Sequence, residues 1–150
     1  RRLTEWYKDK GAELIISISG TPLQERIDVE EPEVFGTSNK EEIIKKMEDS
    51  GVKILEEGFV SGFYALIIKN SMELNLSSSI LLGQCYPSYP DPGAAASVLK
   101  VLNKMIDLNI DVKDLVEQGE DLKVNYRALM DQTNASMQRE TKVEVPTMYR

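Results

Sequence analysis

The side chains in this sequence that could do chemistry gather around one turn. Cys85, Tyr86, Tyr89 and Asp91 fall within Cys85-Tyr86-Pro87-Ser88-Tyr89-Pro90-Asp91-Pro92, so a thiol, two phenols and a carboxylate are near neighbours along the chain. A cysteine acts as a nucleophile only as its thiolate, which needs a base or a positive neighbour. The chain contains no histidine. Ser-His-Asp and Cys-His catalysis, imidazole acid-base chemistry and His-ligated zinc are therefore unavailable from these residues. Without an imidazole, Cys85 reads as a small buried hydrophobe. Asp91 could be an acid, but it stands directly before Pro92 and Gly93-Ala94-Ala95-Ala96. That is the position of a helix N-cap, where a carboxylate accepts from first-turn amides and faces the positive end of the helix. The cap explains Asp91 better than catalysis does. Glu30-Glu31, Glu41-Glu42 and Glu56-Glu57 could gather around a cation, yet adjacent surface carboxylates are ordinarily solvated charge. Gly58-x-x-x-Gly62 lacks both the Lys-Ser/Thr of a P-loop and the spacing of a dinucleotide fingerprint, and reads as a turn that begins a helix. No catalytic residue, metal or cofactor is expected.

The turn needs elements to hold it. Ser79-Ile80-Leu81-Leu82-Gly83 is an apolar run of strand length, and the prolines that follow end it near Cys85 because they cannot donate to a ladder. After the Asp91 cap, Val98, Leu99, Leu102, Met105 and Ile106 mark the buried stripe of a helix ending near Asp107. Its first turn, nearly free of side-chain bulk, can press close against a neighbour. Upstream, Leu14 to Ile18 is a second continuous apolar strand, closed by Gly20-Thr21-Pro22, and unbroken runs of this kind favour a parallel sheet buried on both faces. Leu23 to Glu33 is polar and reads as a surface loop. Val34 to Thr37 predicts a short strand. Ser38 and Glu41 form a capping-box signature for a helix through Ile43, Ile44 and Met47, closed by Ser50-Gly51. A weak strand at Val52 to Leu55 precedes an apolar helix beginning at Phe59 and running through Leu66, Ile67 and Leu74. Strands alternating with helices at this spacing predict βαβ units and a layered, mainly parallel sheet.

A last long helix is expected from about Val112. Leu115, Leu122 and Leu129 repeat every seven residues, and Val116, Tyr126 and Met130 widen the stripe. That face suits packing on its own domain and packing against another subunit equally well. Polarity rises and periodicity fades from Asp131 to Thr141. Residues 1–141 thus read as one α/β domain and residues 142–150 as a flexible C-terminal tail. At the other end, Leu3, Trp6 and Tyr7 make a helical stripe with no strand before it to pack upon. The expectation is the C-terminal portion of a longer fold.

Bulk properties narrow the partners. A chain of 150 residues can bury a core without a disulfide or metal, and its single cysteine cannot form an internal bridge. A net charge of −7, from 25 acidic and 18 basic residues, argues against nucleic acid. No apolar run is long enough for a membrane span, which leaves a cytoplasmic address as the simplest expectation.

The order of motifs carries a resemblance. Gly20-Thr21-Pro22, Pro32-Glu33-Val34-Phe35-Gly36, Gly58-Phe59-Val60-Ser61-Gly62, Tyr89-Pro90-Asp91-Pro92-Gly93-Ala94-Ala95-Ala96 and Ile110-Asp111-Val112 together resemble the archaeal proteasome assembly chaperone family, relatives of the second eukaryotic assembly chaperone. The likeness spans roughly residues 5–131. It implies a three-layer α/β/α fold similar to nucleoside phosphorylases, no established catalysis, homo-oligomerisation, binding to proteasome α subunits, and an N-terminal half not present in this chain. Members commonly carry an acidic residue and a histidine before the proline turn and an arginine after it; Gln84, Cys85 and Gly93 stand there instead. The end of the chain, Met148-Tyr149-Arg150, looks like the hydrophobic-tyrosine-any motif by which proteasome activators dock between α subunits. An aromatic ring, its hydroxyl and a terminal carboxylate suit such a pocket. Two other readings stay open: an α/β hydrolase or nucleotide-dependent ligase with its active site on the missing portion, and a structural subunit that assembles through its final helix.

Overall fold

The computed structural model describes residues 1–140, with side chains through Leu129 and that of Gln132. Its centre is a strand, β4 (Ser77–Cys85), in which Ser78 to Leu81 are all buried. On one side β4 pairs in parallel with β1 (Leu14–Pro22), and on the other it pairs antiparallel with β2 (Val34–Ser38), which is parallel to β3 (Lys53–Ile54). The sheet order is β1-β4-β2-β3. Two of the three pairings are parallel, as the spacing of the elements predicts; the β2–β4 pairing is antiparallel. The direction of a strand depends on where its connections travel, and β2 returns along β4 after the loop that follows β1.

Helices cover both faces, giving three layers. Because alternate residues of a strand face opposite sides, Leu81 joins Val34, Met47, Val98 and Leu102 in the main core, beneath α2 (Glu41–Asp49) and α4 (Pro92–Met105). Ile80 and Leu82 face the other way, toward Tyr64 of α3 (Phe63–Glu73), beside which lies α1 (Arg2–Asp9). The final helix, α5 (Lys113–Glu140), packs across α4. A Cβ added at Gly119 would lie 3.0 Å from the Gly93 backbone nitrogen, so the two helices touch backbone to backbone where both lack side chains. The bulk-free first turn of α4 thus presses close as expected, and the first half of α5 packs on its own domain.

Several local expectations are corrected. Gly20-Thr21-Pro22 does not end β1: the strand continues through Pro22, which pairs with Cys85, and Leu23 then donates to the Cys85 carbonyl at 2.9 Å. Proline is tolerated there because β1 has only β4 as a neighbour. Ser38 does not cap α2. Its hydroxyl donates to the Ser78 carbonyl at 2.8 Å, tying β2 to β4, and Lys40 takes the N-cap position without a side-chain bond. The closing Gly51 has φ +92°, the left-handed conformation expected after a helix. Helix α3 begins at Phe63 and not at Phe59; Gly62, at φ +82°, directs the chain into it, and Phe59 is fully exposed. Helix α5 continues to Glu140 although its apolar stripe fades from Asp131. The sequence tail from 142 lies outside the described residues.

Candidate functional site

The proline turn is organised around a buried ion pair. Asp91 is the N-cap of α4, accepting from the Ala94 amide through Oδ1 at 2.9 Å, with Pro92 at the first helical position. Its Oδ2 accepts from the Tyr86 amide at 3.2 Å. Arg26 completes the arrangement: Nε lies 2.8 Å from Oδ2 and Nη2 donates to Oδ1 at 3.1 Å, with the two side chains 4% and 3% exposed. Nη1 donates to the Val29 carbonyl at 2.9 Å, and the guanidinium carbon sits 5.1 Å from the centre of the Tyr86 ring. Both Asp91 oxygens are engaged by cationic and backbone donors. Such a carboxylate is a structural anchor, fixing the turn and the helix start together.

Arg26 lies in a one-turn 3-10 helix, Arg26–Asp28, within the segment read from sequence as a surface loop. The loop reading holds for its carboxylates and fails for Arg26, which reaches inward across the sheet end to a partner 65 positions away. Where the resemblance places an arginine after the turn, this chain has Gly93, and a side chain there would crowd the ion pair. A Cβ at Gly93 would come within 3.0 Å of Arg26 Nη2.

Aromatic contacts fasten α5 onto the turn. Tyr126 packs at a tilt of 36° against Tyr86 at 5.4 Å and meets Tyr89 edge-on at 5.0 Å between ring centres. Burial pushes the Tyr86 phenol above its ordinary value, against the opposing pull of Arg26. Tyr89 remains 59% exposed, and Pro90 beside it is also exposed. Cys85, at the end of β4, is half-buried; burial and, secondarily, the charge on Asp91 hold its thiol above the usual range, with Arg26 opposing. That direction is the reverse of what activates a nucleophile. Gln84 is used for structure, its side-chain oxygen accepting from the Glu33 amide at 3.0 Å. Among the described residues no three acidic or cysteine side chains stand together as metal ligands, and no helix is long and apolar enough to cross a membrane.

A second feature is the apolar outer face formed by α1, α3 and the loop before α3. Trp6, Phe59, Phe63 and Leu66 are each more than half exposed there, and Met72, half a turn round α3 from Phe63, is exposed on its other flank. Met148, Tyr149 and Arg150, which carry the terminal motif, lie outside the described residues.

A profile of the PAC2 family matches residues 1–130. This chain belongs to the PAC2 family. Among solved structures, this PAC2 chain is similar to Pyrococcus furiosus PbaA, an archaeal homolog of proteasome-assembly chaperone, with 33% identity and a TM-score of 0.75 over 99% of this chain and 61% of that one. It also shares its fold with P. furiosus PbaB, an archaeal proteasome activator, at 22% identity and a TM-score of 0.73, covering 86% of this chain and 55% of PbaB. An uncharacterized protein of Methanocaldococcus jannaschii is 27% identical over 147 residues, 98% of this chain and 58% of that protein. The chain therefore spans about three fifths of the length of these relatives. The expected family and the α/β class are both established by these matches.

Proposed function

We propose that this PAC2 chain binds proteasome α subunits, as an assembly chaperone or activator-like protein, and works by surface complementarity without catalysis. The observation that carries this reading is the likeness to PbaA along almost the whole chain. The site supports it: the carboxylate of the turn is locked in an ion pair, the thiol is held protonated, and the outer face of α1 and α3 is apolar and open. Helix α5, the last described element, is anchored in its first half by the Gly93–Gly119 contact and the tyrosine cluster. In this reading the terminal tyrosine and carboxylate enter a pocket between α subunits, and a homo-oligomer presents several tails at once, gaining avidity if the tethers span the pocket spacing. The test is binding of the chain to immobilised α subunits with and without Tyr149 and Arg150. The truncated chain should keep its fold and lose most of its affinity; equal binding by both forms would remove the tail from the mechanism.

A further inference from the structure

Between α5 and the first turns of α4, walled on the third side by the segment before β2, lies a crevice of 270 Å³. Lys123 lines it. Only 6% of the surface of Lys123 is exposed, and it makes no hydrogen bond or ion pair with any described residue. The other cations of the crevice are engaged: Arg26 with Asp91, Lys100 at 3.8 Å from Glu31, and Arg127 donating to the Ile27 carbonyl at 3.4 Å. Glu30 and Glu120 also line the space, but both are exposed, where water screens their charge. The stem of Lys123 is packed between the helices while its ammonium reaches the solvent of the crevice, so a cation without a partner among the described residues is held in place there.

We propose that this crevice binds a small free oxyanion, a carboxylate or a phosphate, with Lys123 as its main counter-charge and Lys100 and Arg127 at the rim. Its volume lies near the lower end of ligand sites, about 300 Å³, which suits a compact anion. The ligand would touch α4 and α5 together, so occupancy strengthens the docking of α5. This inference does not depend on the proteasome reading.

The probes are inorganic phosphate and citrate, added to the chain at an ionic strength held constant with sodium chloride. At least one should raise the melting temperature saturably, and which one does so distinguishes phosphate from carboxylate recognition. In isotope-labelled protein the Gly93 and Gly119 amides should shift with the same concentration dependence. Lys123→Met should weaken binding by more than about tenfold, whereas Lys123→Arg should retain binding. The proposal is overturned if neither anion exceeds the chloride control, if the melting shift occurs without movement of those amides, or if Lys123→Met binds as the parent does. Should Lys123→Met fail to fold, the amide shifts of the unaltered chain decide the matter.

Discussion

Asp91→Ala separates the two tasks of the buried carboxylate. Loss of the cap on α4 costs about 1 kcal/mol, the usual value for an N-cap carboxylate replaced by alanine. Loss of the counter-charge leaves Arg26 buried at 4% side-chain exposure, with only the Val29 carbonyl and the Tyr86 ring as partners. Removing one member of a buried pair costs about 3–5 kcal/mol. The sum, about 4 kcal/mol at its lower end, is a large part of the roughly 5–15 kcal/mol that holds a domain folded. With a urea m-value of about 2 kcal/mol per molar, the unfolding midpoint should fall by about 2 M. In an Arg26→Met background no cation is orphaned and Asp91 has already lost its counter-charge, so Asp91→Ala should then cost no more than the cap, about 1 kcal/mol. The assay is urea unfolding followed by far-UV circular dichroism on the two single variants and the double variant. If Asp91→Ala costs the same with and without Arg26, the two residues do not act as a buried pair and the reasoning fails.

Gly119→Leu should push α5 off α4, because even a Cβ there meets the Gly93 backbone; a loss of about 1–3 kcal/mol and a changed near-UV tyrosine signal are expected, and an unchanged spectrum would place the helices farther apart. Since burial raises the Cys85 thiol, its alkylation should reach half-maximal rate at a higher pH in the folded protein than in a denatured control. The same direction means that its contribution to stability is complete below the unfolded-state ionisation and is lost as pH rises through the folded-state value, which urea midpoints across the alkaline range would register. Ser71, fully buried with no partner for its hydroxyl among the described residues, should tolerate alanine with stability unchanged or raised by up to about 1 kcal/mol; a clear loss would reveal an unrecognised hydrogen bond.

What could be read in the sequence was what short-range rules decide. Pro87, Pro90, Asp91 and Pro92 fix the end of β4 and the start of α4 within a few residues, and both boundaries stand where local chemistry puts them. The Gly93 to Ala96 turn foretold a close approach, though its partner, Gly119, carried no signal beyond being a glycine in a helical pattern. Arg26 was illegible for a physical reason: its burial depends on a carboxylate 65 positions away, while the nearby Glu25 and Asp28 look like solvated loop. A lone arginine in such a segment is the one trace that could have been pursued. Lys123 likewise follows Asp121 and Leu122 on a charged helix, and only the packing of α5 across α4 encloses it. Ser38 matched a capping pattern, but it belongs to β2: its hydroxyl donates to the Ser78 carbonyl and accepts from the Lys40 amide at 3.3 Å, one step ahead of the helix that starts at Glu41. The antiparallel course of β2 lies in the connections, which no local pattern encodes.

The central claim is a partnership with proteasome α subunits, and native mass spectrometry of the chain mixed with isolated α subunits tests it most directly. A new species containing both proteins in defined stoichiometry is expected. Spectra showing only the separate components, at concentrations well above those of ordinary specific complexes, would contradict it.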